Sequence, residues 1–442
     1  MYRRLLARRQ TRRFLAGLGV SALGDGLSIV TIAWLAVVAA PAGDSGVFVG
    51  VAVAAYTLPG VIGAILLRRY VATRPAREMV LGHAVLRAVC LGLIAILSIA
   101  GGLPPYLYVT LLAGSSLLSA WGNAGQYTML SALAGPDGRL AVNSLASAQV
   151  SFATIVGPVA AGMLLFVLSP GLILALDAAS FAVLGLAAWR TRTDAGPTEP
   201  PVDTGAAGSG FRLLRRRGLL SLTVVTWLFF FLYGPVEVAL PVYVAHDQAA
   251  PAGLLGAYWT SFGAGALIAT LITGALRARN MRRTTLLIVA GWGACLLPFA
   301  VAPIPITVLS FALGGLIYGP FIPLTYALFQ STTPAASLPA VLAARSALVI
   351  ISTPLGTAIG GPLVASLGAT GTLVASGVAT IALAAAASVL WKERGHVDPG
   401  AVLAQRHLPL LSRVPKRTRT PPLLSLPGRP ARRGSRLSWP RQ

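Results

Sequence analysis

Five charged side chains interrupt long apolar stretches of this 442-residue chain: Asp25, Arg87, Asp177, Glu237 and Arg345. Charge within an apolar segment is costly, so such residues usually face an internal cavity or pair with one another. A carboxyl group in apolar surroundings binds protons more readily than one in water and can exchange them near neutral pH. We therefore expect Asp25 and Glu237 to bind protons or another cation. Arg87, Asp177 and Arg345 are the candidate charge partners.

Each of these assignments has a structural alternative. Asp25 could bond to backbone beside the flexible glycines that flank it, and Glu237 could be a hydrated acid near an interface. Asp177 could have a structural role. Arg87 could extend its guanidinium to the inner surface along its aliphatic stem. Arg345 could mark the end of an apolar stretch, or could take part in closing the inner side of the protein.

A second group of side chains could shape a cavity, because they place hydrogen-bonding or aromatic groups in the middle of apolar stretches. The candidates are Asn123, Gln126, Tyr127, Gln149, Trp227, Tyr233 and Tyr258. Spacing alone does not separate aromatic rings that face a cavity from rings that face lipid, where such residues also serve as interface anchors.

The elements that must position these residues are twelve apolar runs. A helix needs about 20 apolar residues to cross a bilayer, and in hydrocarbon every backbone polar group must bond internally, so runs of this length should be helices. A barrel would show short alternating strands instead, and that alternation is absent. The runs are 14–39, 47–67, 79–99, 106–130, 144–167, 171–190, 219–245, 253–276, 284–302, 305–328, 344–366 and 370–391.

The distribution of positive charge gives this membrane protein an orientation. The chain has 35 Lys and Arg against 12 Asp and Glu, yet it is 55% hydrophobic and its mean hydropathy is +0.76. Apart from Arg87 and Arg345, the basic residues lie in the N-terminal arm, the even-numbered gaps and the C-terminal tail, whereas the odd-numbered gaps contain none. Since cytoplasmic loops retain positive charge, both termini are predicted to be cytoplasmic. The predicted segments are a basic arm (1–13), a six-helix bundle (14–190), a linker (191–218), a second bundle (219–391) and a disordered basic tail (392–442).

Several function classes are disfavoured by the same composition. The charge of +23 follows the topology and suits contact with anionic inner-leaflet lipid, so nucleic acid is not expected as a partner. Cys90 and Cys295 both fall within apolar runs, and no His or carboxylate cluster accompanies them, so we expect no metal site. No P-loop motif is present. We expect no cofactor and no enzymatic activity.

The two halves of the chain repeat one another. A loop motif follows the second and the eighth runs: it comprises Gly63 and Arg68 in the first copy, and Gly274, Arg279, Arg282 and Arg283 in the second. A pair of glycines five residues apart recurs in the fifth and eleventh runs, at Gly157 and Gly162 and again at Gly356 and Gly361. Duplicated halves with a site between them are typical of secondary transporters.

On these features the chain resembles the major facilitator superfamily, and within it the branch of macrolide-efflux and enterobactin-exporter type. The residues that carry the resemblance lie within about 12–392: Ser21-Ala22-Leu23-Gly24-Asp25, Leu140-Ala141-Val142-Asn143-Ser144-Leu145, Gly157-Pro158 and Asp177-Ala178-Ala179-Ser180-Phe181. The loop motif departs from the family, because Leu67 and Ala278 stand where an Asp is usual, which puts the usual inner-gate salt bridge in doubt.

The resemblance implies two pseudo-symmetric bundles that alternate their access to the two sides of a bacterial cytoplasmic membrane. It also implies a monomer that exports an amphipathic molecule, such as a macrolide, siderophore or dye, against protons. Two rival hypotheses stay open. One is an uptake carrier or facilitator for a small metabolite, which predicts more hydrogen-bonding residues in the cavity. The other is a non-transporting scaffold whose basic tail recruits a partner.

Overall fold

The computed structural model describes residues 2–41, 44–67, 74–135, 138–191, 210–273, 280–334 and 337–392. Within these ranges the fold is helical, and the residues up to Trp391 belong to one unit. The helices are α1 (Tyr2–Ala7), α2 (Arg9–Ala39), α3 (Ser45–Leu66), α4 (Ala76–Ile99), α5 (Pro105–Ser116), α6 (Ser119–Ala134), α7 (Arg139–Leu164), α8 (Pro170–Trp189), α9 (Arg217–Val242), α10 (Ala252–Thr273), α11 (Met281–Leu296), α12 (Ile304–Tyr318), α13 (Phe321–Thr332) and α14 (Leu338–Lys392). A π-helical turn, Tyr243–Asp247, extends α9, and a 3₁₀ turn, Leu297–Ala300, extends α11.

Ten helical stretches in the described part of the chain are long and apolar enough to cross a membrane. Two differences separate this number from the twelve predicted. The fourth predicted span is split into α5 and α6, which have 12 and 16 residues. The last two predicted spans form one assigned helix, α14, of 55 residues. The count of twelve therefore stays a prediction.

Local chemistry explains both differences. The hydroxyl groups of Ser115 and Ser116, at the end of α5, donate to carbonyl oxygens one turn earlier, at 2.7 and 3.2 Å, and such bonds bend helices. In α14 a single residue, Gly368, has φ +72° and is not helical. An unbroken helix of that length would measure about 80 Å against a hydrocarbon core of about 30 Å. Gly368 lies between the two predicted spans, where a turn is needed.

Of the predicted segments, the N-terminal arm can be compared directly with the structure. Residues 1–13 contain α1 and the start of α2, so the arm is helical where the structure describes it. The arm also packs on the first bundle: Leu5 is buried, and Arg8 Nη1 donates to the carbonyl of Leu133 at 2.9 Å. Most of the predicted linker, 192–209, and the tail, 393–442, lie outside the described residues.

The two halves of the molecule meet through glycines. On one side of the interface, α7 packs on α10 so closely that a Cβ atom added at Gly256 would lie 2.1 Å from the carbonyl oxygen of Gly162. On the other side, α3 packs on α14, and a Cβ added at Gly50 would lie 3.1 Å from the backbone of Gly361. Small residues permit such backbone approach between membrane helices. All four glycines lie near the end of the bundle that carries the arginine-poor gaps.

Each half repeats a second glycine contact internally. In the first half Gly26 of α2 lies against Gly157 of α7, with 2.4 Å from an added Cβ to the Gly26 Cα. In the second half Gly234 of α9 lies against Gly356 of α14, with 2.7 Å to the Gly356 Cα. These contacts, taken with the interface pairs, show that the two halves are built on one plan and supply a residue-by-residue correspondence between them.

The interface glycines give a prediction about stability. We expect Gly162→Ala to lower the apparent melting temperature of the purified protein, because the added Cβ would lie 2.4 Å from the Gly256 carbonyl oxygen. Overpacking of this kind typically costs about 1–3 kcal/mol. The matched control is Gly102→Ala, at a position where an added Cβ meets nothing within 4 Å. Thermal unfolding followed by tryptophan fluorescence compares the two, and equal melting temperatures would contradict the proposed tight contact.

Candidate functional site

A buried charge pair lies in the first half, formed by three helices. The Arg87 guanidinium on α4 bonds through Nη2 to Asp25 Oδ1 on α2 and to the Tyr56 hydroxyl on α3. The Tyr56 hydroxyl in turn donates to Asp25 Oδ1 at 3.2 Å. The Arg87 side chain is 7% exposed, whereas that of Asp25 is 45% exposed. The pair is therefore anchored in the protein at its cation and open to a cavity at its acid.

Two aromatic rings lie against the guanidinium of Arg87. Its central carbon lies 4.7 Å from the Tyr56 ring centroid and 4.6 Å from that of Phe181 on α8. Ring faces attract cations, and the attraction is larger where water is excluded. Charge pairing and two ring contacts together compensate the desolvation of this arginine, which does not extend to either end of the bundle.

A second carboxylate, Asp177, lies nearby on α8 and is fully buried. Its side chain accepts from the hydroxyls of Ser28 and Ser180, the latter at 3.1 Å. Arg87 acts on it electrostatically, as it does on Asp25. The first half thus gathers two acids around one guanidinium. Gly24 is required beside them, since a Cβ there would lie 2.2 Å from Asp177 Oδ1.

The exposed face of Asp25 borders a cavity of about 230 Å³. Four of the side chains that the sequence predicts around a cavity line it: Asn123, Gln126, Tyr127 and Gln149. Gln149 donates from Nε2 to the carbonyl of Leu15 at 3.2 Å, while its Oε1 has no partner among the described residues. This first-half cavity therefore offers hydrogen-bonding groups around one acid.

A second cavity, of about 280 Å³, lies mainly against the second half and borders Glu237 of α9. Its walls carry five aromatic rings: Phe230, Tyr233, Trp259, Phe262 and Tyr318. Within the described part of the chain no hydrogen bond or ion pair reaches the Glu237 carboxylate. Ile29 and Thr154 line both cavities, so the two are neighbours.

The repeated plan of the two halves relates the charge pair to the aromatic walls. Asp25 and Tyr233 each precede the corresponding glycines, Gly26 and Gly234, and Tyr56 and Phe262 each lie six residues after Gly50 and Gly256. Arg87 and Trp292 each lie three residues before a cysteine that faces an equivalent glycine. A Cβ added at Gly114 would lie 3.3 Å from Cys90 Sγ, and one added at Gly314 would lie 3.5 Å from Cys295 Cβ.

The consequence is a replacement of charge by aromatic surface. The second-half counterparts of Asp25, Tyr56 and Arg87 are Tyr233, Phe262 and Trp292. Their rings form a cluster, with the Trp292 centroid 5.7 Å from Tyr233 and 5.5 Å from Phe262. Glu237 lies one helical turn after Tyr233. The second half thus has an acid but no guanidinium at the position that corresponds to Arg87.

Three of the predicted site residues lie away from both cavities. Trp227 stacks on Phe231, with ring centroids 5.2 Å apart. Tyr258 is fully buried and its hydroxyl bonds to Thr307 Oγ1 at 2.6 Å. Neither Tyr258 nor Trp227 lines either of the two cavities described, and the role predicted for them stays untested. Arg345 lies 4.1 Å from the Tyr326 ring centroid, and the described residues provide it with no acid.

The predicted loop motif is only partly described. Arg68, Gly274 and Arg279 lie outside the described residues. Gly63 accepts from Trp121 Nε1 at 3.0 Å, Arg282 lies over the Trp391 ring at 5.9 Å, and the Arg283 amide donates to Asn280 Oδ1 at 3.1 Å. These contacts are structural, and they leave the role predicted for the motif untested.

Sequence reasoning missed Tyr56, Phe262 and His83. His83 is buried, lines the first-half cavity and meets Phe181 edge to face at 5.4 Å. The available signal for Tyr56 was its isolation as the one aromatic hydroxyl of its apolar run. Phe262 gives no such signal, because only the correspondence with Tyr56 marks its position.

Comparison with known proteins agrees with this architecture. The chain is 27% identical over 282 residues to the multidrug efflux pump Tap of Mycobacterium tuberculosis and of Mycobacterium bovis, which is 59% of this chain and 65% of the length of those relatives. The structure is similar to the nucleoside transporter NupG, with TM-score 0.64 and 14% identity, covering 87% of this chain and 99% of that one. It is also similar to the POT family transporter PepTSo, with TM-score 0.65 and 11% identity, covering 88% and 99%.

These structural similarities concern the fold alone. The sequence profile of the Major Facilitator Superfamily matches residues 14–279 and 222–431, which together cover most of the chain and both halves of the repeat. The chain therefore belongs to the Major Facilitator Superfamily, whose members are multi-pass membrane transporters of small molecules.

Proposed function

We propose that this transporter exports an amphipathic small molecule by alternating access in exchange for protons, with Asp25 and Glu237 as the proton-binding groups. The observation that carries the proposal is the presence of one acid on a cavity wall in each half, at 45% exposure in the case of Asp25. The similarity to a multidrug efflux pump supports the direction of transport.

The charge pair suggests how a proton could be coupled to a change of shape. Protonation of Asp25 removes the negative charge that bonds to Arg87, while Tyr56 and Phe181 still hold the guanidinium between their rings. The three helices that meet at the pair would then be less strongly attached to one another. In the proposed cycle the acid takes its proton from outside, and the substrate from the cytosol displaces it.

The remaining features of the proposal follow from charge. We place both termini in the cytosol, because every arginine-rich gap then faces the same side of the membrane. The resemblance to the family further suggests a monomer in a bacterial cytoplasmic membrane. The basic connections would contact anionic lipid of the inner leaflet. The linker and tail would lie on that side as well.

A specific observation favours a second candidate, an uptake carrier for a small polar metabolite. The lining of the first-half cavity includes hydrogen-bonding side chains that suit a polar ligand better than an apolar one, among them Asn123, Gln126, Tyr127 and Gln149. The solved structures named above include a nucleoside transporter. Under this hypothesis the substrate would accumulate in cells that contain the protein instead of being excluded from them.

Accumulation of a fluorescent dye in cells with and without the protein tests the direction of transport. We expect less dye in cells that contain the protein, and we expect the difference to vanish when an uncoupler collapses the proton gradient. Greater accumulation would support the uptake carrier. No difference across a panel of dyes and antibiotics would contradict export.

The two acids give a prediction about coupling. We expect Asp25→Asn and Glu237→Gln each to abolish active dye exclusion, because neither variant can carry a proton at that position. The matched control is Glu78→Gln, which changes an acid that is 51% exposed and that pairs, among the described residues, with Arg74 at 3.5 Å. Normal export by both neutral variants would show that the protons bind elsewhere or that no protons are used.

Loss of coupling must be distinguished from loss of the fold. Asp25→Asn leaves the buried Arg87 without its acid, and breaking a buried pair in this way typically costs about 3–5 kcal/mol. Arg87→Met leaves Asp25, which is half-exposed, and we expect a smaller decrease in melting temperature. The double variant should recover part of the loss of Asp25→Asn. Strictly additive effects would indicate that the two side chains do not interact.

A further inference from the structure

We propose, resting on the export function proposed above, that the cavity at Glu237 binds a lipophilic organic cation. Such a ligand carries an ammonium or phosphonium charge within an apolar, often aromatic, body. Glu237 would supply the opposite charge and the surrounding rings would supply the walls. The inference names the substrate class, which the similarity to other transporters leaves open.

Within the described part of the chain, no cation and no hydrogen-bond donor meets the Glu237 carboxylate. In the first half the corresponding problem is solved inside the protein, because Arg87 bonds to Asp25. A carboxylate among apolar walls is costly unless a proton or a cation compensates it. The charge of Glu237 is therefore left for something that enters the cavity.

In the second half an aromatic ring takes the position that the guanidinium has in the first half. Trp292 occupies the position that corresponds to Arg87, and its ring contacts those of Tyr233 and Phe262. Arg345, the candidate charge partner in the same half, lies instead over the Tyr326 ring at 4.1 Å. The described lining of this cavity includes no Lys, Arg or His. Such a surface opposes an anion and leaves room for a cation.

The aromatic lining of the Glu237 cavity also favours a cation. Tyr318 lies 5.7 Å from Tyr233 and 5.6 Å from Phe262 between ring centroids, so the rings support one another in place. Ring faces attract ammonium and phosphonium charge, most strongly where water is excluded. Most of the lining side chains are apolar or aromatic, and the hydrogen-bonding groups outside the rings are those of Thr154, Thr353 and Glu237, which disfavours a sugar or a nucleoside. The cavity of about 280 Å³ adjoins the first-half cavity, so a larger ligand could extend into it.

Equilibrium binding to the purified full-length protein tests this inference with two ions of the same shape and opposite charge. We expect radiolabelled tetraphenylphosphonium to bind saturably and unlabelled tetraphenylphosphonium to displace it. The direct binding of radiolabelled tetraphenylborate, the anion of matching shape, is measured in a separate titration because the two ions form a salt, and it should be at least tenfold weaker. Equal affinity for the two ions would overturn the inference, because binding would then follow hydrophobicity and not charge.

Variants assign the binding to the proposed groups. Glu237→Gln should weaken binding at least tenfold, whereas the exposed Glu78→Gln should leave it unchanged. Tyr233→Phe retains a ring and should stay within about threefold of the wild type, while Tyr233→Leu should lose about 2- to 30-fold, the range expected for a cation–ring contact. Unchanged binding by both Glu237→Gln and Tyr233→Leu would place the cation elsewhere and refute the site.

The two proposals fail separately. Binding that depends on Glu237 in a protein that excludes no dye from cells would retain the cation site and refute export. Export that persists for neutral dyes while tetraphenylphosphonium does not bind would refute the cation site and retain export. Size-exclusion elution of each variant as a single species shows that the fold is kept, and Tyr233→Leu remains informative if Glu237→Gln does not fold.

Discussion

The scarcity of water within the bundle is the constraint on which the site depends, because every charge there needs a partner from the chain or from a ligand. Arg87 meets this requirement completely, through Asp25, the Tyr56 hydroxyl and two ring faces. Asp177 meets it through serine hydroxyls. Glu237 does not meet it within the described residues. The difference between these acids follows from which helices supply their neighbours, and it assigns a different chemistry to each half.

The common plan of the two halves makes this difference interpretable. The contacts Gly26–Gly157 and Gly234–Gly356 fix equivalent backbone positions to within one residue. At those positions the first half places a salt bridge, and the second places an aromatic cluster around Trp292. A duplicated scaffold thus keeps its backbone contacts, which tolerate no added side chain, while the side chains around them diverge. Close packing preserves the geometry and leaves the chemistry of each cavity free to change.

Much of the helical arrangement could be predicted from the sequence, because apolar length and the placement of arginine report directly on the bilayer. The glycine pairs of the repeat were also visible as spacing. The partners of the charged residues were not, because Tyr56 and Arg87 are distant in the chain and only the tertiary structure brings their side chains to Asp25. Spacing likewise did not indicate the position of Tyr258, whose ring packs within the second bundle beside Thr307. An aromatic ring in an apolar helix has several apolar surroundings available, and only tertiary structure selects one.

Charge neutrality also connects the two cavities to a transport cycle. The pair of Asp25 and Arg87 is neutral by itself, so the pair adds no net charge to a closed first-half cavity. Glu237 has no such internal compensation, and closing the second-half cavity over its bare carboxylate would remove a charge from water at high cost. Under the proposed function that closure becomes favourable only when a proton or a cationic substrate neutralises the acid. The Glu237 carboxylate binds either a proton or the cationic substrate. The cost of closing the cavity over the bare carboxylate would therefore enforce exchange of the two, without any direct contact between proton and substrate.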